Sequence, residues 1–184
     1  MKHLIEKTMA EQVIYEGKII DLKLQEVRLP NGKTSKREIV KHPGAVAVIA
    51  CTDEGRLILV RQYRKPMDRV MVEIPAGKLE PGEEPLVTAK RELEEETGYI
   101  ADSLEKIISF YTSPGFADEL VHLYEAKGLK KGDGTAVLDA DEFVDVMEVT
   151  LQEAGQLIEN HEIYDAKTAY AVQYLQLKEA AERK

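Results

Sequence analysis

A single cysteine, Cys51, occurs in the 184 residues, so no disulfide can form within the chain, which agrees with a reducing compartment. It follows the apolar run AVAVIA and reads as a small buried residue rather than a nucleophile. No run of about 18 apolar residues occurs, and the opening MKHLIEKTMAEQ lacks the apolar stretch of a signal peptide. Neither a membrane span nor export is expected, which leaves the cytoplasm as the default location. Basic residues are outnumbered 25 to 34, giving a net charge of −9 and a pI near 5.1. Such a balance argues against nonspecific binding to a nucleic-acid backbone. An anionic substrate would need bound cations or locally placed arginines. The four histidines, His3, His42, His122 and His161, show no metal-ligand spacing, and the chain has no internal repeat or low-complexity linker.

What is present suggests one sizeable domain with an attached segment. Residues 1–43 contain strand-like runs on either side of Pro30-Asn31-Gly32, where Asn-Gly signals a two-residue hairpin, and predict a small antiparallel sheet. Residues 44–184 form the main domain. Its runs AVAVIA, RLILVRQY and RVMVEIPAG read as strands, with a hairpin turn at Asp53-Glu54-Gly55. A helix is predicted over 84–97, with Pro85 at its first position, Leu86, Ala89 and Leu93 on one stripe, and Gly98 as its left-handed cap. Strand-like runs follow from Ser103, Leu120 and Glu142. Thr150 with Glu153 forms a capping-box pattern for a helix to about Glu159, and Asp165 caps a final helix to about Glu182. Strands before and after a central helix, with helices at the end, indicate a mixed α/β or α+β domain.

The helix over 84–97 raises a problem of charge. Glu92, Glu95 and Glu96 fall at i, i+3 and i+4, so their carboxylates converge, while Glu94 points elsewhere. They also crowd the helix C-terminus, where the dipole disfavours each acid by roughly 0.3–1 kcal/mol. Only Lys90 and Arg91 lie nearby to offset them. The pattern fits either a solvated acidic face or a site for a hard divalent cation, which takes oxygen ligands together with substrate phosphates.

The whole stretch GKLEPGEEPLVTAKRELEEETGY resembles the Nudix box, G-x5-E-x7-R-E-U-x-E-E-x-G-U, with Gly77, Glu83, Arg91-Glu92-Leu93, Glu95-Glu96, Gly98 and Tyr99 at the specified positions. Tyr99 stands where an aliphatic residue is the closer fit. The resemblance implies an α/β/α sandwich with a mixed sheet, and hydrolysis of a nucleoside diphosphate linked to another group. It also implies that Glu92 and Glu96 ligate magnesium, with manganese as a substitute and two or more ions per site. Glu95 is implied as a further ligand or a partner behind the ligands, and the backbone carbonyl of Ala76 as another ligand. Arg91 is implied to orient the glutamates, with Glu83 in the same network.

Downstream, SFYTSPGFADEL places Pro114 fifteen residues beyond Tyr99. This spacing, the RQYR and VEIPAG runs and the extra N-terminal sheet are similar to the ADP-ribose pyrophosphatase subgroup, in which that sheet supports an intertwined homodimer. The resemblance implies attack of water on the diphosphate of ADP-ribose, giving AMP and ribose 5-phosphate. Another nucleoside diphosphate derivative, such as a dinucleoside polyphosphate or a nucleotide sugar, is the alternative substrate. A sensor that binds ADP-ribose without cleaving it would be marked by lost box glutamates, and all are present. Arg64 and Arg37 are candidates for phosphate or ribose contacts, and Arg37 is equally readable as a surface ion pair. Glu73 suits a ribose hydroxyl or is an exposed strand glutamate. The resemblance implies that an acid from a mobile loop, not from the box, takes the water's proton; the candidate loop is KKGDGTAVLDADEFVDV, with Glu142 preferred and Asp139 and Asp141 as alternatives. No tryptophan is available to stack on adenine, which leaves Tyr15 and Tyr63, unless these simply pack.

Overall fold

The protein is described by a computed structural model covering residues 2–138 and 142–183. Asp139 and Asp141 lie outside the described residues. The chain divides into two compact units, Met1–Gly44 with Ser109–Val121, and Ala45–Ile108 with His122–Lys184.

In the first unit, β1 (Lys7–Glu16), β2 (Asp21–Arg28) and β3 (Thr34–Lys41) form an antiparallel sheet in that order. The turn between β2 and β3 differs from the two-residue form its Asn-Gly pair suggests. Gly32 N–H donates to Leu29 O at 2.9 Å, and Leu29 N–H to Lys33 O at 2.8 Å. Only Gly32 in this turn has a positive φ, of 83°. Pro30 fixes a negative φ at the first turn position, which suits a type I turn with glycine last and excludes the mirror-image turn. Val40 N–H donates to Phe116 O at 2.8 Å, and Asp118 N–H to Val40 O at 3.2 Å, so segment 109–121 pairs with the end of β3. Every residue of β1 is exposed, including Met9, Val13, Ile14 and Tyr15.

In the second unit, β4 (Ala45–Ile49), β5 (Leu57–Arg64), β6 (Arg69–Glu73) and β7 (Ala76–Lys78) lead into α1 (Pro85–Thr97). Then follow β8 (Tyr99–Tyr111) and β9 (Leu120–Lys131), whose residues 109–111 and 120–121 are counted with the first unit, and β10 (Val144–Val149), α2 (Leu151–Glu159) and α3 (Ala166–Glu182). The strands form two sheets, ordered β7-β4-β9-β8 and β10-β5-β6, and with three α-helices the expected mixed architecture is observed among the described residues. The turn at residues 53–55 is present, closed by Thr52 N–H to Arg56 O at 2.9 Å. Beyond a single bridge between Cys51 and Leu57, however, β4 and β5 enter different sheets.

Both C-terminal helices carry the caps expected of them, the Thr150–Glu153 box on α2 and Asp165 on α3. Gly98 ends α1 in the left-handed conformation, and Ala89 and Leu93 are buried in a core with Val46, Val48, Ile58 and Tyr124. Leu86 is not part of that core and is 41% exposed. The buried face of α1 begins only at Thr88, one half-turn after Leu86, and runs through Ala89, Glu92, Leu93, Glu96 and Thr97.

Candidate active site

The face of α1 that buries Leu93 also buries two carboxylates, Glu92 at 7% exposure and Glu96 at 4%. Placing acids there requires that something replace water, and the sequence supplies it from two directions. Arg91 Nη1 donates to Glu92 Oε1 and to Glu95 Oε2, each at 2.8 Å. Its Nη2 and Nε reach the Glu83 carboxylate at 3.2 and 3.4 Å. One guanidinium thus gathers three acids, which raises its own pKa and lowers that of Glu83. Ala76 N–H donates to Glu96 Oε2 at 2.9 Å, tying β7 to the last turn of α1.

The neighbouring strand must come very close for this to happen. A Cβ added at Gly77 would stand 1.9 Å from Glu92 Cδ, so only glycine fits. Burial raises the pKa of Glu92, reinforced by the charges of Glu142 and Glu95 and opposed by Arg91. Glu96 is pushed up to about 8, first by burial and then by the charges of Glu92 and Glu142, against the Ala76 hydrogen bond. Glu142 is half-buried, two residues before β10, and its charge is felt at both glutamates. Glu94, expected to face water, is half-exposed.

Buried carboxylates that resist ionisation are suited to a cation. Among the described residues no three acidic, histidine or cysteine side chains form a ready-made metal cage. Magnesium does not require one, since it takes one or two carboxylates and completes its shell with water and phosphate oxygens. Glu92 and Glu96, with Glu95 beside them, supply oxygen donors of the kind that requirement names.

Arg64 and Glu73 meet each other. Arg64 Nε and Nη2 donate to Glu73 Oε1 and Oε2 at 2.7 and 2.9 Å. Lys167 also donates to Glu73, and to Asp165 Oδ1 at 2.9 Å. Glu73 is therefore not an exposed strand glutamate, being only 3% exposed. The end of β6 is enclosed on both faces, because the first turn of α3 covers it and Ile74 N–H donates to Thr168 Oγ1 at 3.0 Å. Burial alone would raise the pKa of Glu73, but the Arg64 hydrogen bonds and the Lys167 charge outweigh it and hold the carboxyl at about 2. Arg64 in turn feels the charge of Glu96. Lys167 is the residue that reading the sequence missed. Its position two residues after the Asp165 cap was visible, but nothing local connects it with a glutamate 94 positions away.

Arg37 and Pro114 lie in the first unit, where both line a groove of about 340 Å³ together with Phe116. Arg37 forms an ion pair, with Nε and Nη2 on Glu6 at 3.0 and 2.5 Å. Tyr63 is half-exposed with its hydroxyl on Asp68 at 2.5 Å, and Tyr15 is 58% exposed.

Comparisons with known proteins agree with this arrangement. Residues 41–171 match the family described as NUDIX domain, and residues 6–40 match a nucleoside diphosphate sugar hydrolase N-terminal domain. An ADP-ribose pyrophosphatase of Bacillus subtilis (strain 168) is 66% identical, over 98% of this chain and 97% of its own. A methanol dehydrogenase activator of Bacillus methanolicus is 61% identical over 97% of each. An ADP compounds hydrolase of known crystal structure shares the fold, with a TM-score of 0.82 at 18% identity, over 96% of this chain and 95% of the other. With its box complete and folded around Arg91, the chain belongs to the Nudix hydrolase family.

Proposed function

We propose that the protein hydrolyses the diphosphate of ADP-ribose, releasing AMP and ribose 5-phosphate. The observation that carries this reading is the box acids Glu83, Glu92 and Glu95 gathered on Arg91, with Glu92 and Glu96 buried, in a chain 66% identical over nearly its whole length to a relative named for that substrate. Magnesium, or manganese in its place, would be held by Glu92 and Glu96 with Glu95 and the Ala76 carbonyl, two or more ions per site, and supplies charge neutralisation and water activation. In the reaction a new bond forms from the water oxygen to phosphorus while the bond to the bridging oxygen breaks. Glu142 takes the proton from that water. Arg91 keeps the glutamates in place, and the guanidiniums of Arg64 and Arg37 suit phosphate or ribose oxygens, with Glu73 holding Arg64 and Pro114 beside Arg37. The exposed apolar strand β1 supports a homodimer joined through residues 1–43, and the lone cysteine supports a cytoplasmic setting.

A nucleotide sugar is the second reading, favoured by the N-terminal match to nucleoside diphosphate sugar hydrolases. Release of nucleoside monophosphate from ADP-ribose, GDP-mannose and a dinucleoside polyphosphate, each with and without magnesium, separates the two. ADP-ribose is expected to give the highest kcat/KM. An equal or higher value for either competitor overturns the substrate, and no magnesium-dependent turnover of any of them overturns the activity.

A further inference from the structure

Tyr99, the last position of the box, departs from the aliphatic residue that fits there best, and its hydroxyl has a partner. The ring lies in the core at 7% exposure, while Oη donates to Glu148 Oε1 at 2.5 Å, across 49 positions of sequence. Lys131 Nζ stands 3.7 Å from the centre of the same ring. One residue earlier, the Gly98 carbonyl accepts from Gly132 N–H at 2.8 Å. A Cβ at Gly132 would come within 3.2 Å of both that carbonyl and Glu94 Oε1, so the backbone contact is close as well as bonded.

These contacts share a geometry. Lys131 is the last residue of β9 and Glu148 belongs to β10, so the two strands bounding residues 132–143 are fastened to the two residues that follow α1. Glu142 sits in that connection, and the acids its charge reaches, Glu92 and Glu96, sit on α1. An aliphatic side chain at position 99 would fill the core but could hold neither strand through a hydroxyl or a ring face.

We infer that Tyr99 is a positioning residue, which by engaging Lys131 and Glu148 sets where Glu142 stands relative to the glutamates of α1. The inference rests on Glu142 being the proton acceptor of the proposed reaction.

The test is ADP-ribose hydrolysis by the magnesium-loaded full chain in Tyr99→Phe, Glu142→Gln and the double variant, with amide exchange over Val144–Val149 measured on the metal-free proteins. Tyr99→Phe keeps the ring, its packing and the Lys131 contact. Its kcat is expected to fall about tenfold, with KM and the magnesium midpoint within about twofold of wild type. In the Glu142→Gln background the same change is expected to cost less than about twofold, because residues acting through one another are not additive. Glu148→Ala should reproduce the Tyr99→Phe defect, and Glu148→Gln, which retains an acceptor, should restore most of the rate. Exchange over Val144–Val149, the strand that loses the Tyr99 hydroxyl, should quicken in Tyr99→Phe, and unchanged exchange overturns the fastening. A wild-type kcat in Tyr99→Phe beside a defective Glu142→Gln overturns this inference alone. Equal fractional losses in both backgrounds overturn the route through Glu142. A wild-type kcat in Glu142→Gln overturns the assignment of the base, and the inference with it.

Discussion

Glu96 is a carboxylate whose surroundings oppose its charge, and this has a sign that can be measured. With its pKa raised from 4.5 to about 8, the metal-free folded state keeps a proton that the unfolded chain releases above about 4.5. The metal-free protein therefore loses stability on this account as pH rises from about 4.5 to about 8. A cation that takes the place of the proton should restore it. Magnesium is expected to raise Tm more at pH 8 than at pH 6, and a larger shift at pH 6 would contradict the role given to Glu96. Glu96→Gln should lower kcat by at least about two orders of magnitude, the scale seen when an electrostatic catalytic element is lost. Gly77→Ala tests the same place sterically. Its Cβ would overlap the Glu92 carboxylate, so a stability loss of about 1–3 kcal/mol is expected, together with weaker magnesium dependence of AMP release.

At the scale of elements, what local spacing encodes was readable and what long-range pairing encodes was not. The cap of α1, the capping box of α2 and the convergence of Glu92, Glu95 and Glu96 all depend on residues three to five positions apart. Leu86 satisfied the same spacing and still faces outward, because helical angle alone does not say where the covering sheet begins. Leu86→Ala should therefore change unfolding free energy by no more than about 0.5 kcal/mol, against about 2–5 kcal/mol for Leu93→Ala. The joint between β5, β6 and α3 was invisible in the sequence, since Arg64, Glu73 and Lys167 are brought together only by folding. Glu73→Gln leaves two cations facing a neutral amide, so a loss of about 3 kcal/mol is expected at pH 7. The Glu73 pKa is depressed from 4.5 to about 2, so its contribution is full above about 4.5 and disappears as pH falls through about 2. Urea unfolding at pH 7 and pH 3 should show the gap between wild type and variant narrowing at the lower value.

At the scale of the molecule, β1 exposes Met9, Val13, Ile14 and Tyr15, more apolar surface than a lone three-stranded sheet needs. If the proposed homodimer forms through this sheet, sedimentation should report a dimer whose Tm rises with protein concentration, and Ile14→Lys should shift it towards monomer. Nothing in the alternation of these residues said which of them would meet a partner. The first unit is also assembled from two stretches separated by 64 residues of the other, with Val40 bonded to Phe116 and Asp118. It is therefore not closed by the first 44 residues alone. Deleting the first 44 residues would strip segment 109–121 of its pairing while leaving it inside the chain, so a cut at residue 44 removes one half of a unit and strands the other.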